Sequence, residues 1–148
     1  MVIVPITSSN KNKETFICPK YETKYSSGVD VCAFISDNII IEPGKHAMIP
    51  TNLTVAIPEG YEIQVRSRSG LAAKNGVFVL NSPGTIDSDY RGEIKVILAN
   101  FGDEPFTVSP NMRIAQLVLN KVEQMYFRYF NELDDTDRGS GGFGSTGI

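Results

Sequence analysis

The sequence predicts an all-β fold of the sandwich, jelly-roll or barrel kind, and two features carry that expectation. Short apolar runs with a period of two recur along the chain, and turn residues separate them at close intervals. Tyr61, Ile63 and Val65 alternate with Glu62, Gln64 and Arg66, which gives one buried and one open face. Leu53-Thr54-Val55-Ala56-Ile57 and residues 113–119 alternate more loosely. Val77-Phe78-Val79-Leu80 and residues 94–98 are apolar and rich in β-branched residues, as buried strands are. Pro43-Gly44, Pro58-Glu59-Gly60, Gly102-Asp103-Glu104-Pro105 and Ser109-Pro110-Asn111 supply the turns. Residues 1–6 read as a first strand, since they lack the basic start and long apolar centre of a secretory signal. One helix of a turn or two is expected over residues 69–75, ended by Gly76.

The chain of 148 residues fits one domain able to bury a core without staples. Its apolar fraction of 41% and charged fraction of 21% are those of a soluble globular protein. A formal net charge of −3 argues against a nonspecific nucleic-acid partner, so any anionic ligand must be met by local Arg, Lys or backbone N–H groups. No apolar run approaches a membrane span, and no membrane partner is expected. Cys18 and Cys32 suit a reducing cytoplasm, and a single His46 leaves no Cys/His zinc site to build.

Chemistry concentrates in residues 81–100, NSPGTIDSDYRGEIKVILAN. A turn needs Pro and Gly, but it does not need Asp87, Asp89, Tyr90 and Arg91 within a few residues. Asp87 on a hairpin could be aimed at a water as general base; a hairpin aspartate bonding its own backbone is the ordinary alternative. Tyr90 could stack on a sugar or base, or be a cross-strand aromatic. Asn81 both donates and accepts, so it could read a base edge, or simply serve the turn. In residues 66–72, Arg68, Ser69 and Gly70 could cradle a phosphate at the start of the helix; an N-capping serine beside a solvated arginine is the plainer reading. Asp30, in Ser27-Gly28-Val29-Asp30-Val31, could hold the water shell of a metal or stabilise a turn. Gln116 could be an outward-facing polar residue of its strand.

The tail changes character. Residues 131–137 are acidic and polar, and residues 138–147 read RGSGGFGSTG. Such glycine density does not hold a fixed conformation alone. A floppy terminus is the bland reading. Arg138, Phe143, Ser145 and Thr146 also suit a mobile strip that closes over a phosphorylated, flat-ringed ligand.

Taken in order, these stretches resemble the five motifs of the trimeric dUTPase family: residues 27–31, 68–72, 84–100 preceded by Asn81-Ser82-Pro83, 113–117, and 138–147. The resemblance implies a distorted jelly roll (β-clip) over residues 1–130, assembled as a homotrimer, with residues 131–148 as a mobile arm reaching a neighbour's site. It implies hydrolysis of dUTP to dUMP and pyrophosphate, keeping uracil out of DNA and supplying dUMP for dTMP synthesis. Asp87 then activates the water, and Mg²⁺ bridges the triphosphate with Asp30 steadying it through bound waters. Arg68, Ser69, Gly70 and Gln116 correspond to phosphate contacts. Backbone groups of Thr85, Ile86 and Asp87, with Asn81, correspond to the uracil reader. Tyr90 lies beneath the sugar, with Lys95 as a lesser candidate near the substrate. Phe143 stacks on uracil, while Arg138, Ser145 and Thr146 grip the terminal phosphates. Two departures stand out: Ser67 where proline is usual, and Asn111-Met112 where Gly-Asp is usual, each expected to alter only local rigidity or turn stability. A dCTP deaminase, a regulatory dUTP-binding protein and a purely structural jelly roll are the competing readings.

Overall fold

The computed structural model describes residues 1–10, 17–143 and 145. Ten strands and one helix follow in chain order: β1 (Ile6–Ser8), β2 (Val29–Cys32), β3 (Ile39–Ile41), β4 (His46–Val55), β5 (Tyr61–Arg66), α1 (Ser69–Asn75), β6 (Val77–Val79), β7 (Gly84–Ile86), β8 (Ile94–Asn100), β9 (Phe106–Val108) and β10 (Arg113–Lys121). They form a sheet ordered β1-β4-β8-β6, a second ordered β2-β10-β5-β7, and a two-stranded β3-β9 ribbon. All the pairings are antiparallel.

Strand period builds the core. In β8, Ile94, Val96 and Leu98 are fully buried while Lys95 between them is exposed, because successive side chains point to opposite faces. Ile49, Val77, Val79, Val108 and Ile114 complete the same cluster. Thr51, Asn52 and Asn100 are the buried polar residues among those described, and the amide of Asn100 is fully used. Its Nδ2 donates to the carbonyls of Ile41 and Glu104 at 2.8 Å each, and its Oδ1 accepts from Gly102 N at 2.9 Å.

The expected helix forms over α1, and Gly76 ends it with φ 65°. Gly76 is also needed for close approach: a Cβ there would sit 2.7 Å from Gly102 N. A Cβ on Gly102 would in turn strike the Asn75 carbonyl. The helix end and the β8–β9 turn therefore meet backbone to backbone.

The first strand differs from expectation, starting at Ile6 rather than Met1. Pro5 has no N–H to give the ladder, though its carbonyl accepts from Ala56 N at 2.9 Å. Val2 and Val4 instead line an apolar groove with Val55, Ile63 and Leu117. Met112 packs partly buried against the core. Asn111 takes φ 62°, a conformation asparagine tolerates where glycine is usual. Beyond Lys121 the described residues hold no further strand or helix, and Met125, Tyr126, Phe127, Tyr129, Phe130 and Leu133 are all exposed.

Candidate active site

Strand β7 pairs with β5, Gly84 facing Val65 and Ile86 facing Ile63, and then turns sharply. Tyr90 N donates to the Asp87 carbonyl at 3.1 Å, so residues 87–90 form a tight turn that leaves the Asp87 side chain exposed. Arg91 staples this turn, donating from Nη1 to the carbonyls of Ser88 (2.7 Å) and Tyr90 (2.9 Å). A cavity of about 490 Å³ opens beside it, lined by Met48, Thr85, Ile86, Asp87, Tyr90, Glu93 and Lys95.

The wall of this cavity is tied down from behind. Tyr90 Oη donates to the Glu93 carbonyl at 3.0 Å, and the tyrosine ring lies where a Cβ on Gly92 would be. Glu93 Oε1 accepts from Asn52 N at 2.8 Å, while Oε2 faces Lys95 Nζ at 3.8 Å. Asn52 reaches Glu93 because β4 slips register between Pro50 and Leu53, and the inserted asparagine adopts φ 59°.

A second cluster forms across β2, β10 and the β5–α1 junction. Asp30 sits opposite Gln116, and Gln116 opposite Arg66. Asp30 accepts from Arg113 Nη1 at 3.0 Å and is ion-paired with Arg68, whose Nε lies 3.3 Å away. Arg68 Nη1 also donates to the Arg113 carbonyl at 3.0 Å. Glu22 lies 3.8 Å from Arg113. Gln116 Nε2 donates to the Ser67 carbonyl at 3.0 Å, and a Cβ on Gly28 would press to 2.9 Å from Gln116 Oε1. Arg68, not a serine, occupies the N-cap position, and no side chain caps the helix. The capping-serine reading is thereby set aside, as is a freely solvated Arg68. Ser69 and Gly70 are exposed, and a Cβ on Gly70 would meet nothing within 4 Å.

The two clusters occupy opposite ends of one sheet. Asp87 leaves β7 beyond Ile86, which faces Ile63, whereas Arg68, in extended backbone just past the end of β5, lies five residues beyond Ile63. At a strand's rise that is roughly 17 Å. Of the expected residues, Thr85, Ile86, Asp87, Tyr90 and Lys95 share the cavity, while Asp30, Arg68 and Gln116 adjoin one another. Asn81 stands outside the cavity lining, with its Nδ2 folded over Gly84 at 3.1 Å from the position of a Cβ. Among the described residues of the tail the bonds are local: Arg138 Nε bonds the Gly141 carbonyl at 2.8 Å, Ser145 N bonds that of Gly142, and Phe143 is wholly exposed. Thr146 lies outside the described residues.

Sequence reasoning did not single out Arg113, Glu93 or Met48. Arg113 opens the fourth motif, and that position was the available signal; its grip on Asp30 depends on the β2–β10 register. Glu93 and Met48 carry no such mark. Ser67, expected to matter only for rigidity, makes specific bonds: its Oγ accepts from Val79 N at 2.9 Å.

Both cysteines are free. Burial raises the pKa of Cys32 above the ordinary 9.0 and the Asp30 carboxylate adds to this, while Arg113 and Arg68 oppose it. The thiolate is the reactive form. Iodoacetamide is therefore expected to label exposed Cys18 first near pH 8, with Cys32 labelling more slowly until the pH passes its raised folded value, as followed by peptide mass spectrometry. Equal rates at pH 8 would contradict this. The same shift makes Cys32 a small stabilising term that is complete below pH 9.0 and fades as the pH rises through its folded value.

Among the described residues no group of three or more His, Cys, Asp or Glu side chains is arranged to hold a metal. No described helix is long and apolar enough to cross a membrane. Comparison with known proteins agrees with the motif order. The dUTPase family model matches residues 14–147. The chain is 63% identical over 130 residues to the deoxyuridine 5'-triphosphate nucleotidohydrolase of Chlamydia muridarum, covering 87% of this chain and 90% of that one. It is 58% identical over 129 residues to the enzyme of the same name from Fusobacterium nucleatum, covering 87% and 88%. In fold it matches the dUTPase of Staphylococcus bacteriophage 80alpha with dUPNHPP, at a TM-score of 0.86 and 24% identity over the whole of both chains. With its strands, its motif order and nearly its full length accounted for in this way, the chain belongs to the dUTPase family.

Proposed function

We propose that this chain hydrolyses dUTP to dUMP and pyrophosphate, with Asp87 as the base that directs water at the α-phosphorus. The observation that carries the reading is the placement of Asp87: an exposed carboxylate on a stapled turn, beside a cavity walled by Tyr90 and Lys95. Asp87 accepts a proton from water as the oxygen attacks phosphorus. The bond from the α-phosphorus to the bridging oxygen breaks, and pyrophosphate leaves with the electron pair. Arg68, Ser69, Gly70 and Gln116 offset charge on the phosphate oxygens. Backbone groups at Thr85, Ile86 and Asp87, with Asn81, pair with the edge of uracil. Cytosine would leave these groups unpaired, which is a strong basis for rejection.

Asp30 fits a water-mediated Mg²⁺ site. Arg113 uses one of its roughly four acceptor positions and Arg68 is ion-paired beside it, leaving the others for a hydrated ion that meets few protein oxygens. When bound with the triphosphate, Mg²⁺ supplies charge withdrawal from the phosphate oxygens.

The separation of Asp87 from Arg68 on one chain supports a site shared between copies, as a homotrimer provides: hairpin from one, phosphate cradle from a second, arm from the third. The exposed apolar run from Met125 to Leu133 supports the same assembly, since an isolated chain would leave it in water. Residues 131–148 serve as the arm. Phe143 covers the base, and Arg138, Ser145 and Thr146 close on the terminal phosphates.

Pyrophosphate release from dUTP, dTTP, dCTP and UTP with Mg²⁺ tests the reading. Turnover of dUTP alone is expected. Turnover of dTTP at a comparable rate, or ammonia from dCTP, would sink it.

Gly92 gives a second test. Alanine there collides with the Tyr90 ring and pushes it off the cavity floor. Gly92→Ala is expected to lower kcat/KM for dUTP on the order of a hundredfold through misplacement of the sugar. Its preference for dUTP over UTP should narrow as well. Wild-type kinetics with both nucleotides would show that the Tyr90 platform is unimportant.

A further inference from the structure

We propose that Ser67 is a positioning residue whose hydroxyl locks the loop before α1 to the turn that enters β7. The inference rests on the dUTP-hydrolysis reading and extends it to a residue that is not itself assigned a substrate contact. Three segments meet at Ser67. Its Oγ accepts from Val79 N at 2.9 Å and lies 3.4 Å from Ser82 Oγ, and its carbonyl accepts from Gln116 Nε2 at 3.0 Å.

Proton directions follow from counting. Ser82 Oγ donates its one hydrogen to the Val79 carbonyl. In the contact between the two serines, Ser82 must then accept, and Ser67 must donate. Ser67 is free to do so because its own oxygen already accepts from Val79 N–H. The bonds close a ring: Val79 N–H to Ser67, Ser67 to Ser82, Ser82 to the Val79 carbonyl. Such a ring polarises each member toward the next. Val79 is 1% exposed, so its N–H has no water to turn to if the hydroxyl is removed.

The loop before α1 has other ties, notably Arg68 to Asp30 and the Gln116 amide on the Ser67 carbonyl. The turn bearing Asn81 and Ser82 has fewer. Loss of the ring therefore falls on the base-reading turn rather than on the phosphate cradle. Threonine keeps a hydroxyl at this position, whereas alanine and proline do not.

The experiment compares Ser67→Ala and Ser67→Thr with wild type, using calorimetric binding of dUMP and of pyrophosphate together with dUTP kinetics. Ser67→Ala is expected to weaken dUMP about tenfold, the scale of one unpaired buried N–H. Pyrophosphate binding should stay within about twofold. KM for dUTP should rise while kcat changes less, and Ser67→Thr should restore wild-type values. Unchanged dUMP affinity in Ser67→Ala, equal weakening of both ligands, or a threonine variant no better than alanine would overturn the proposal. Should Ser67→Ala fail to fold, Ser82→Ala opens the same ring from its other side. Wild-type dUMP affinity in that variant then overturns the proposal. Wild-type protein that does not turn over dUTP would instead refute the parent reading.

Discussion

Replacing Asp87 by asparagine is expected to leave dUTP bound and turnover reduced by about 10²–10⁴-fold, the usual worth of a general base. Asparagine keeps the size and the hydrogen-bonding reach of the side chain but cannot take a proton from water. The turn itself does not depend on the carboxylate. It is closed by Tyr90 N on the Asp87 carbonyl and by Arg91 on two further carbonyls, and all three bonds survive the change. Binding of dUTP, measured by calorimetry, should therefore stay near the wild-type value while kcat collapses. Retained kcat would remove Asp87 from the mechanism. Lost binding with lost turnover would mean that the side chain positions substrate and does not act on water.

Removal of residues 138–148 is expected to lower kcat/KM for dUTP on the order of a hundredfold while the β-sheet domain stays folded. The described hydrogen bonds of Arg138, Gly139, Gly141 and Ser145 run only to near neighbours in the chain, so the core loses nothing. Closure over substrate expels bulk water and fixes the reacting atoms, and that contribution is forfeited in the truncated chain. The melting temperature should be close to that of the full chain, and circular dichroism should be unchanged. A truncation with full activity would show that closure by the arm contributes nothing. The effect should also be smaller for binding of dUMP than of dUTP, since Arg138, Ser145 and Thr146 are assigned to the terminal phosphates.

Much of this architecture could be read before any coordinates. The alternation at residues 61–66 became β5 because strand pleating dictates that period regardless of context. Gly76 marked the end of α1 through its positive φ, which is likewise a local property. The first strand was misjudged because hydrophobicity at Val2 and Val4 does not distinguish a ladder from a groove lining, and only Pro5 hinted at the difference. The order of the motifs pointed to the substrate, yet not to the spatial arrangement. That Asp30 would lie between Arg68 and Arg113 depends on the register of β2 against β10, which no local pattern states. Ser67 illustrates the same limit. Its hydroxyl matters through Val79, twelve residues away, and a lone serine carries no sign of that partner.

Helix α1 has seven residues, too few to persist unaided. Asp30 clamps its leading end through Arg68, and the bare Gly76–Gly102 contact clamps the trailing one. It thus behaves as a strut whose freedom is surrendered when the chain folds, so that, on the proposed reading, an arriving anion would meet donors that are already aimed. On the reading proposed above, the tail is the reverse case, a jaw that closes only over substrate and at the cost of some affinity. Recognition would then be divided between one jaw set in advance and another recruited by the guest.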